Sequence, residues 1–245
     1  MPSVDWNREI WGEQHAWAEH GDEWSGMAEF CRQPYQQWKA ALLREFVEPY
    51  AGSARILEIG PGHGRWTEHL QARAEHLTLV DINQSCLDFC QQRFGANPNV
   101  AYHRTSGWSL GFLEPDSIDF IWSFDSFVHM DAPVIEGYLS EFGRVLAPGG
   151  TAVVHHAAKP PWVLSLGPVT SRLGKPGRVL QRLLVQHRLR GDGFRSDVSA
   201  AMVARWAESA GLRVREQRDR WGESGQYTVR KYRDCISVLQ PVANL

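Results

Sequence analysis

Arg55-Ile56-Leu57-Glu58-Ile59-Gly60-Pro61-Gly62-His63-Gly64-Arg65-Trp66-Thr67 is the stretch on which the reading of the fold turns. Ile56, Leu57 and Ile59 make a short apolar strand, the glycines permit a tight turn, and Arg65 onward reads as the opening of a helix. A turn of that kind leaves backbone N–H groups facing a ligand, so a nucleotide-like molecule is expected there.

Outward from this stretch, strands and helices alternate. Strands are expected at residues 55–60, 76–81, 100–105, 118–124 and 151–156. Helices are expected at 65–73, 84–94 and 133–146, the last stopped by the turn Pro148-Gly149-Gly150. Parallel neighbours need crossover helices, so the rhythm predicts an α/β fold with a doubly wound, mostly parallel sheet covered on both faces. A helix capped by Ser196 and ended by Gly211, then closing strands near 212–218 and 227–239, bring the sheet to seven strands.

Two segments fall outside this rhythm. Residues 1–50 hold no strand pattern and are rich in aromatics, with Trp38, Leu42, Leu43 and Phe46 at helical spacing. They are expected to form a helical cap docked on residues 51–245, since no Gly/Ser- or Pro-rich linker separates the two. Residues 157–195, broken by Pro160, Pro161, Gly167, Pro168 and Gly174 and then apolar, are expected to be a lid inserted after the fifth strand.

The chain of 245 residues suits one α/β domain with embellishments. It has no apolar run of about 18 residues and no basic-then-apolar leader pattern, so neither a membrane span nor a secretion signal is expected. Cys31, Cys86, Cys90 and Cys235 show no CxxC spacing, which points to unpaired thiols and a cytoplasmic setting. A net charge of −2 argues against nucleic-acid binding. Residues 1–30 carry acids against Arg8 alone, and residues 159–195 carry bases against Asp192 alone. That asymmetry reads as two solvated or mutually paired faces, or as flaps that attract a charged substrate. A homodimer is left open.

Ligands of an open parallel sheet sit beyond the carboxyl ends of its strands. Five strand ends bring Gly60–Gly64, Asp81, Thr105–Trp108, Phe124–His129 and His155–His156 to that edge. The spacing Glu58-x-Gly60-x-Gly62-x-Gly64 departs from the dinucleotide pattern G-x-G-x-x-G. It closely resembles motif I of the class I S-adenosylmethionine-dependent methyltransferases. Asp81 at the end of the second strand and Leu146-Ala147-Pro148-Gly149-Gly150 before the fifth extend the resemblance from Ile56 to about Gly150.

The resemblance implies a Rossmann-like methyltransferase fold with S-adenosylmethionine as cofactor. It places the backbone of Gly60, Gly62 and Gly64 against the methionine part, Glu58 behind the loop or at the amino group, and Asp81 on the ribose hydroxyls. The acid that the family often offers to adenine is replaced here by Thr105-Ser106-Gly107-Trp108. Ser106, Gly107 and Trp108 are therefore the adenine candidates, the last by stacking. Ile82 is a candidate apolar wall, Ser123 a candidate at the fourth strand's end, and Tyr35 a candidate for the cofactor carboxylate.

In methyl transfer the cofactor supplies the activation, so the protein positions the acceptor, excludes water and removes a proton from a hydroxyl acceptor. His129 has the titration range for that base, and Asp125 is placed to orient it. His155 and His156 are further candidates, although strand alternation sends them to opposite faces. Only Asp125 and Asp131 offer carboxylates there, so no metal is expected. The Asn/Asp-Pro-Pro-Tyr turn of adenine and glutamine methylators is absent after the fourth strand, where Ser123-Phe124-Asp125-Ser126 stands. The expected acceptor is the oxygen or nitrogen of a small molecule, such as a sugar or aminosugar of a natural product or antibiotic. An NAD-dependent oxidoreductase, an aminopropyl transferase and a non-catalytic S-adenosylmethionine-binding module are the rival readings.

Overall fold

The computed structural model describes residues 3–18, 34–52, 54–159, 176 and 195–242. Strands β1 (Ala54–Ile59), β2 (Ala74–Asp81), β3 (Val100–Arg104), β4 (Ile118–Ser123), β5 (Leu146–Ala157), β6 (Leu212–Arg218) and β9 (Asp234–Pro241) form one sheet in the order β3-β2-β1-β4-β5-β9-β6. The first five pair in parallel and β9 runs antiparallel to β5 and β6. The chain builds from β1 toward β3 on one side and then returns to lay β4 on the other. The crevice beyond β1 and β4 is therefore the switch point of the sheet.

Helices α1 (Val4–Glu9), α2 (Tyr35–Phe46), α3 (Thr67–Leu70), α4 (Gln84–Phe94), α5 (Ala132–Val145) and α6 (Ala200–Ser209) accompany the sheet. Side chains alternate across each strand, so β1 sends Ile56 to one core and Leu57 and Ile59 to the other. The first core is aromatic. Trp38 and Phe46 of α2 pack there with Trp66, Phe120, Trp122, Phe124 and Trp221. The second joins α5 and α6 to the opposite face through Ile135, Leu139, Phe142, Val203 and Ala207. Among the described residues no helix is long and apolar enough to cross a membrane, and Cys86, Cys90 and Cys235 are buried.

Several local expectations change. The helix expected at 65–73 shrinks to the single turn α3, because β2 starts at Ala74 to pair with Ala54. Pro148-Gly149-Gly150 is taken into β5 as an irregularity: Ile118 pairs with Leu146, yet Phe120 pairs with Thr151. The cap of α6 is Ser199, whose side chain accepts from the Met202 N–H, and not Ser196. Ser196 instead donates its N–H to Val128 O at 2.8 Å and its hydroxyl to Phe127 O at 3.1 Å, tying this stretch to the β4 exit. The strand expected over 227–239 divides. A hairpin of β7 (Arg220–Trp221) and β8 (Tyr227–Thr228) buries Trp221 against Trp38, and Arg233, at φ +57, turns the chain into β9.

Of the expected cap, residues 3–18 and 34–50 are described, and 19–33 lie outside the described residues, as does most of the expected lid, 160–175 and 177–194. Its two flanks are fastened together. Lys159 N–H donates to Val198 O at 2.9 Å, and Lys159 Nζ donates to Asp197 Oδ1 at 2.6 Å and Arg195 O at 3.1 Å.

Candidate active site

A cleft with about 930 Å³ of empty space, its open mouth included, lies at the switch point. The turn after β1 contributes Gly60, Pro61, Gly62, Arg65 and Trp66, and the end of β2 contributes Asp81, Ile82 and Asn83. From the β4 exit come Phe124, Asp125, Ser126 and His129, with Val134 and Tyr138 from α5. The N-terminal segment closes one side with Val4, Asn7, Trp11 and Trp17.

The turn depends on its glycines. Gly60 has φ +69, and a Cβ there would overlap the Ser126 hydroxyl, which donates to Gly60 O at 3.0 Å. Gly62 has φ +54, and a Cβ there would stand 2.6 Å from the Trp17 ring. Trp17 stacks on His63 at 4.6 Å and His63 on Phe89 at 3.7 Å, so three rings hold the N-terminal segment to the turn. A line of hydrogen bonds continues to the far wall. Trp17 Nε1 donates to Trp11 O at 3.0 Å, Trp11 Nε1 to Asn7 Oδ1 at 2.9 Å, and Asn7 Nδ2 to His129 O at 2.8 Å. The Trp11 and His129 rings lie 4.8 Å apart.

Asp81 lines the cleft, its Oδ1 accepting from the Asn83 N–H at 2.8 Å. Burial pushes its carboxyl up to about 6, against the pull of backbone N–H groups. Glu58 lies behind the turn rather than on the cleft surface. It accepts from the Thr67 hydroxyl at 2.6 Å, and burial pushes it up to about 8. Asp125 leaves β4 at φ +67 and pairs with Arg65, whose guanidinium lies 4.8 Å from the centre of the Trp66 ring. Burial alone would raise the Asp125 carboxyl, but Arg65 and then His155 outweigh it and hold it well below the usual carboxylate range.

Other candidates stand away from the cleft surface. His155 is fully buried against Phe124, with ring centroids 4.3 Å apart. His156 shares its Nε2 with Ser237 Oγ at 2.6 Å and its Nδ1 with Ala157 O at 2.8 Å, and burial lowers it to about 4. Their different partners follow from strand alternation, and the packed strand neighbours of β5 keep both out of the cleft. Ser123 is buried and donates to Ile59 O at 2.9 Å, fastening β4 to β1. Gly107 lines the cleft, but Ser106 is exposed and Trp108, 46% exposed, lies over Gly137 on the outside of α5. Tyr35 stacks on Trp38 at 5.9 Å, away from the cleft. Arg65, Asn7, Trp11 and Tyr138 also line the cleft and are not among the residues expected there from the sequence. The available signals were helical spacing, with Asn7 and Trp11 four apart and Val134 and Tyr138 four apart, and the position of Arg65 directly after Gly64.

Residues 56–150 match a family model described as a methyltransferase domain. Over this stretch the chain is similar to the class I methyltransferase domains. S-adenosylmethionine is the methyl donor of this class. The chain is 32% identical over 124 residues to a biotin biosynthesis bifunctional protein of Cellvibrio japonicus, covering 49% of this chain and 23% of that one. It is 29% identical over 126 residues to a demethylmenaquinone methyltransferase of Clavibacter sepedonicus, covering 51% of this chain and 49% of that one. It thus spans half or less of the length of these curated relatives. The fold of the whole chain, methyltransferase domain and flanking segments together, is similar to that of geranyl diphosphate C-methyltransferase from Streptomyces coelicolor. The TM-score is 0.65 at 14% identity, with 99% of each chain covered.

Proposed function

We propose that the chain transfers a methyl group from S-adenosylmethionine to an oxygen or nitrogen of a small molecule held in the same cleft. The observation that carries this reading is the buried Asp81 carboxylate facing one cleft with the Gly60–Gly62 turn, beneath the aromatic N-terminal segment. The residues present fit the cofactor. Asp81 suits two ribose hydroxyls, Val4, Ile82, Gly107 and Val134 offer apolar walls to a flat base, and Arg65 with the turn backbone suits the amino-acid end. The cofactor supplies a methyl carbon activated by its sulfonium.

The chain's own residues enclose, orient and move a proton. Trp11 and Trp17 exclude water, and His129, buried beside Trp11 at the β4 exit, takes the proton of a hydroxyl acceptor. Asp125 is too weak a base for that task and serves as the counter-ion of Arg65. Asn7, His129 and Asp131 are polar groups in a largely apolar cleft, which favours a hydroxylated natural-product acceptor such as a sugar or aminosugar. The absence of CxxC spacing among the four cysteines supports a cytoplasmic setting.

The test is formation of S-adenosylhomocysteine and a methylated product from a panel of such acceptors, read by mass. His129→Ala is expected to lower turnover by about 100-fold or more while leaving S-adenosylhomocysteine affinity nearly unchanged. Equal turnover would remove His129 from the chemistry. Binding should also depend on acidity. A protonated Asp81 no longer accepts from both ribose hydroxyls, so S-adenosylhomocysteine affinity should fall as pH drops through about 6, by up to about tenfold per pH unit. Calorimetry across that range checks the sign.

A further inference from the structure

From the cleft wall inward runs a line of charge, buried at Arg65, His155 and Asp234 and half-buried at Asp125 and Arg195. They come from the turn after β1, the β4 exit, β5, the start of β9 and the stretch before α6. Arg65 pairs with Asp125, and Arg195 pairs with Asp234. His155 stands between the pairs, its Nδ1 3.1 Å from Asp125 Oδ1 and its Nε2 3.3 Å from Asp234 Oδ2. Arg65 and Asp125 line the cleft, whereas His155 has no exposed surface.

We propose that His155 is a positioning residue: as an imidazolium shared by Asp125 and Asp234, it fixes the Asp125 carboxylate, and through it the Arg65 guanidinium, in the cleft wall. This role rests on the methyltransferase reading only through the ligand used to probe it. A neutral imidazole has one N–H, while here each ring nitrogen lies at ion-pair distance from a carboxylate oxygen, so a proton on each nitrogen would meet an anion on both sides. A second arrangement lies within reach. In the structure the Asp125 N–H donates to His155 Nδ1 at 3.2 Å, and a proton on Nδ1 would replace that bond by donation to Asp125 Oδ1, 3.1 Å away. The two protonation states therefore hold Asp125 by different atoms. Asp125 already sits at φ +67, which a non-glycine residue keeps only when its surroundings impose it.

The groups facing His155 are Asp125 and Asp234 in contact, Arg65 and Arg195 behind them, His156 next along β5 and the Phe124 ring over its face. Burial pulls His155 down, but the two carboxylates outweigh it and hold it above the ordinary imidazole value. Stability gained from the cation is complete below the unfolded value of about 6.5 and is lost as pH rises through the folded one.

The experiment follows the His155 ring and Asp125 amide resonances by NMR across pH, with S-adenosylhomocysteine calorimetry at each pH, for wild type, His155→Gln and Asp234→Asn. In wild type the His155 resonance should titrate above the ordinary imidazole value, with the Asp125 amide shifting and affinity falling over the same interval. His155→Gln should bind roughly tenfold more weakly at the acidic end, the order of loss when a partner behind a binding residue is removed, and should lack that pH step. Asp234→Asn, remote from the cleft, should move the titration and the step together to lower pH. A His155 titration at or below the ordinary value overturns the proposal, as does wild-type affinity with an intact step in His155→Gln. Should His155→Gln not fold, the wild-type and Asp234→Asn titrations still decide. Should wild type bind no S-adenosylhomocysteine, the cofactor reading fails, while the two resonances decide the charge and hold of His155.

Discussion

Asp81→Asn should weaken S-adenosylhomocysteine binding by at least about 100-fold, since hydrogen bonds to a charged group contribute about 1.5–3 kcal/mol each and two ribose hydroxyls are available to donate. Asparagine keeps one oxygen for the Asn83 N–H, so the turn after β2 retains its internal hydrogen bond and the loss isolates the carboxylate. Thermal unfolding measured beside the calorimetry should change little. Undiminished binding by Asp81→Asn would remove the carboxylate from the cofactor site and with it the central support for the proposed activity.

Trp38→Ala should destabilise the protein by about 3–5 kcal/mol, the range for deleting a large buried aromatic side chain. Trp38 has no exposed surface and meets Trp221 at 5.5 Å, Phe124 at 5.8 Å and Trp66 at 6.3 Å between ring centroids. These contacts join α2, the β7–β8 hairpin, the turn after β1 and the β4 exit. Few rearrangements could fill a cavity among rigid rings. The melting temperature should fall by about 10 °C, at some 2–4 °C per kcal/mol for a chain of this size, and Trp38→Phe should recover much of it. A shift of one or two degrees for Trp38→Ala would show that the aromatic core repacks.

What could be read in the sequence follows the range of the forces involved. The α4 limits, the ends of β1 and β2 and the place of Asp81 come from local periodicity and turn chemistry, which a linear chain displays. The side on which Trp108 lies is decided by the packing of α5, so its aromatic character alone did not place it outside the cleft. Ser196 and Ser199 are both capping residues. The choice fell to Ser199 because Ser196 was drawn to the β4 exit by carbonyls some 70 residues away in the chain, at Phe127 and Val128. The expected strand over 227–239 was interrupted because Trp221 and Tyr227 found a place in the aromatic core. The pairing of Arg65 with Asp125, and of His155 with Asp234, joins elements that touch only once the sheet order exists. The acidic N-terminal side chains Asp5, Glu9 and Glu13 are solvent-facing, while their apolar neighbours meet the cleft.

The fastening of Lys159 to Arg195, Asp197 and Val198 has a consequence for how the described elements can come apart. With Ser196 tied to Phe127 and Val128, the clasp links the end of β5 to the β4 exit and to the approach of α6. Parting any one of them from the other two leaves buried backbone groups without partners, so the three are expected to open together.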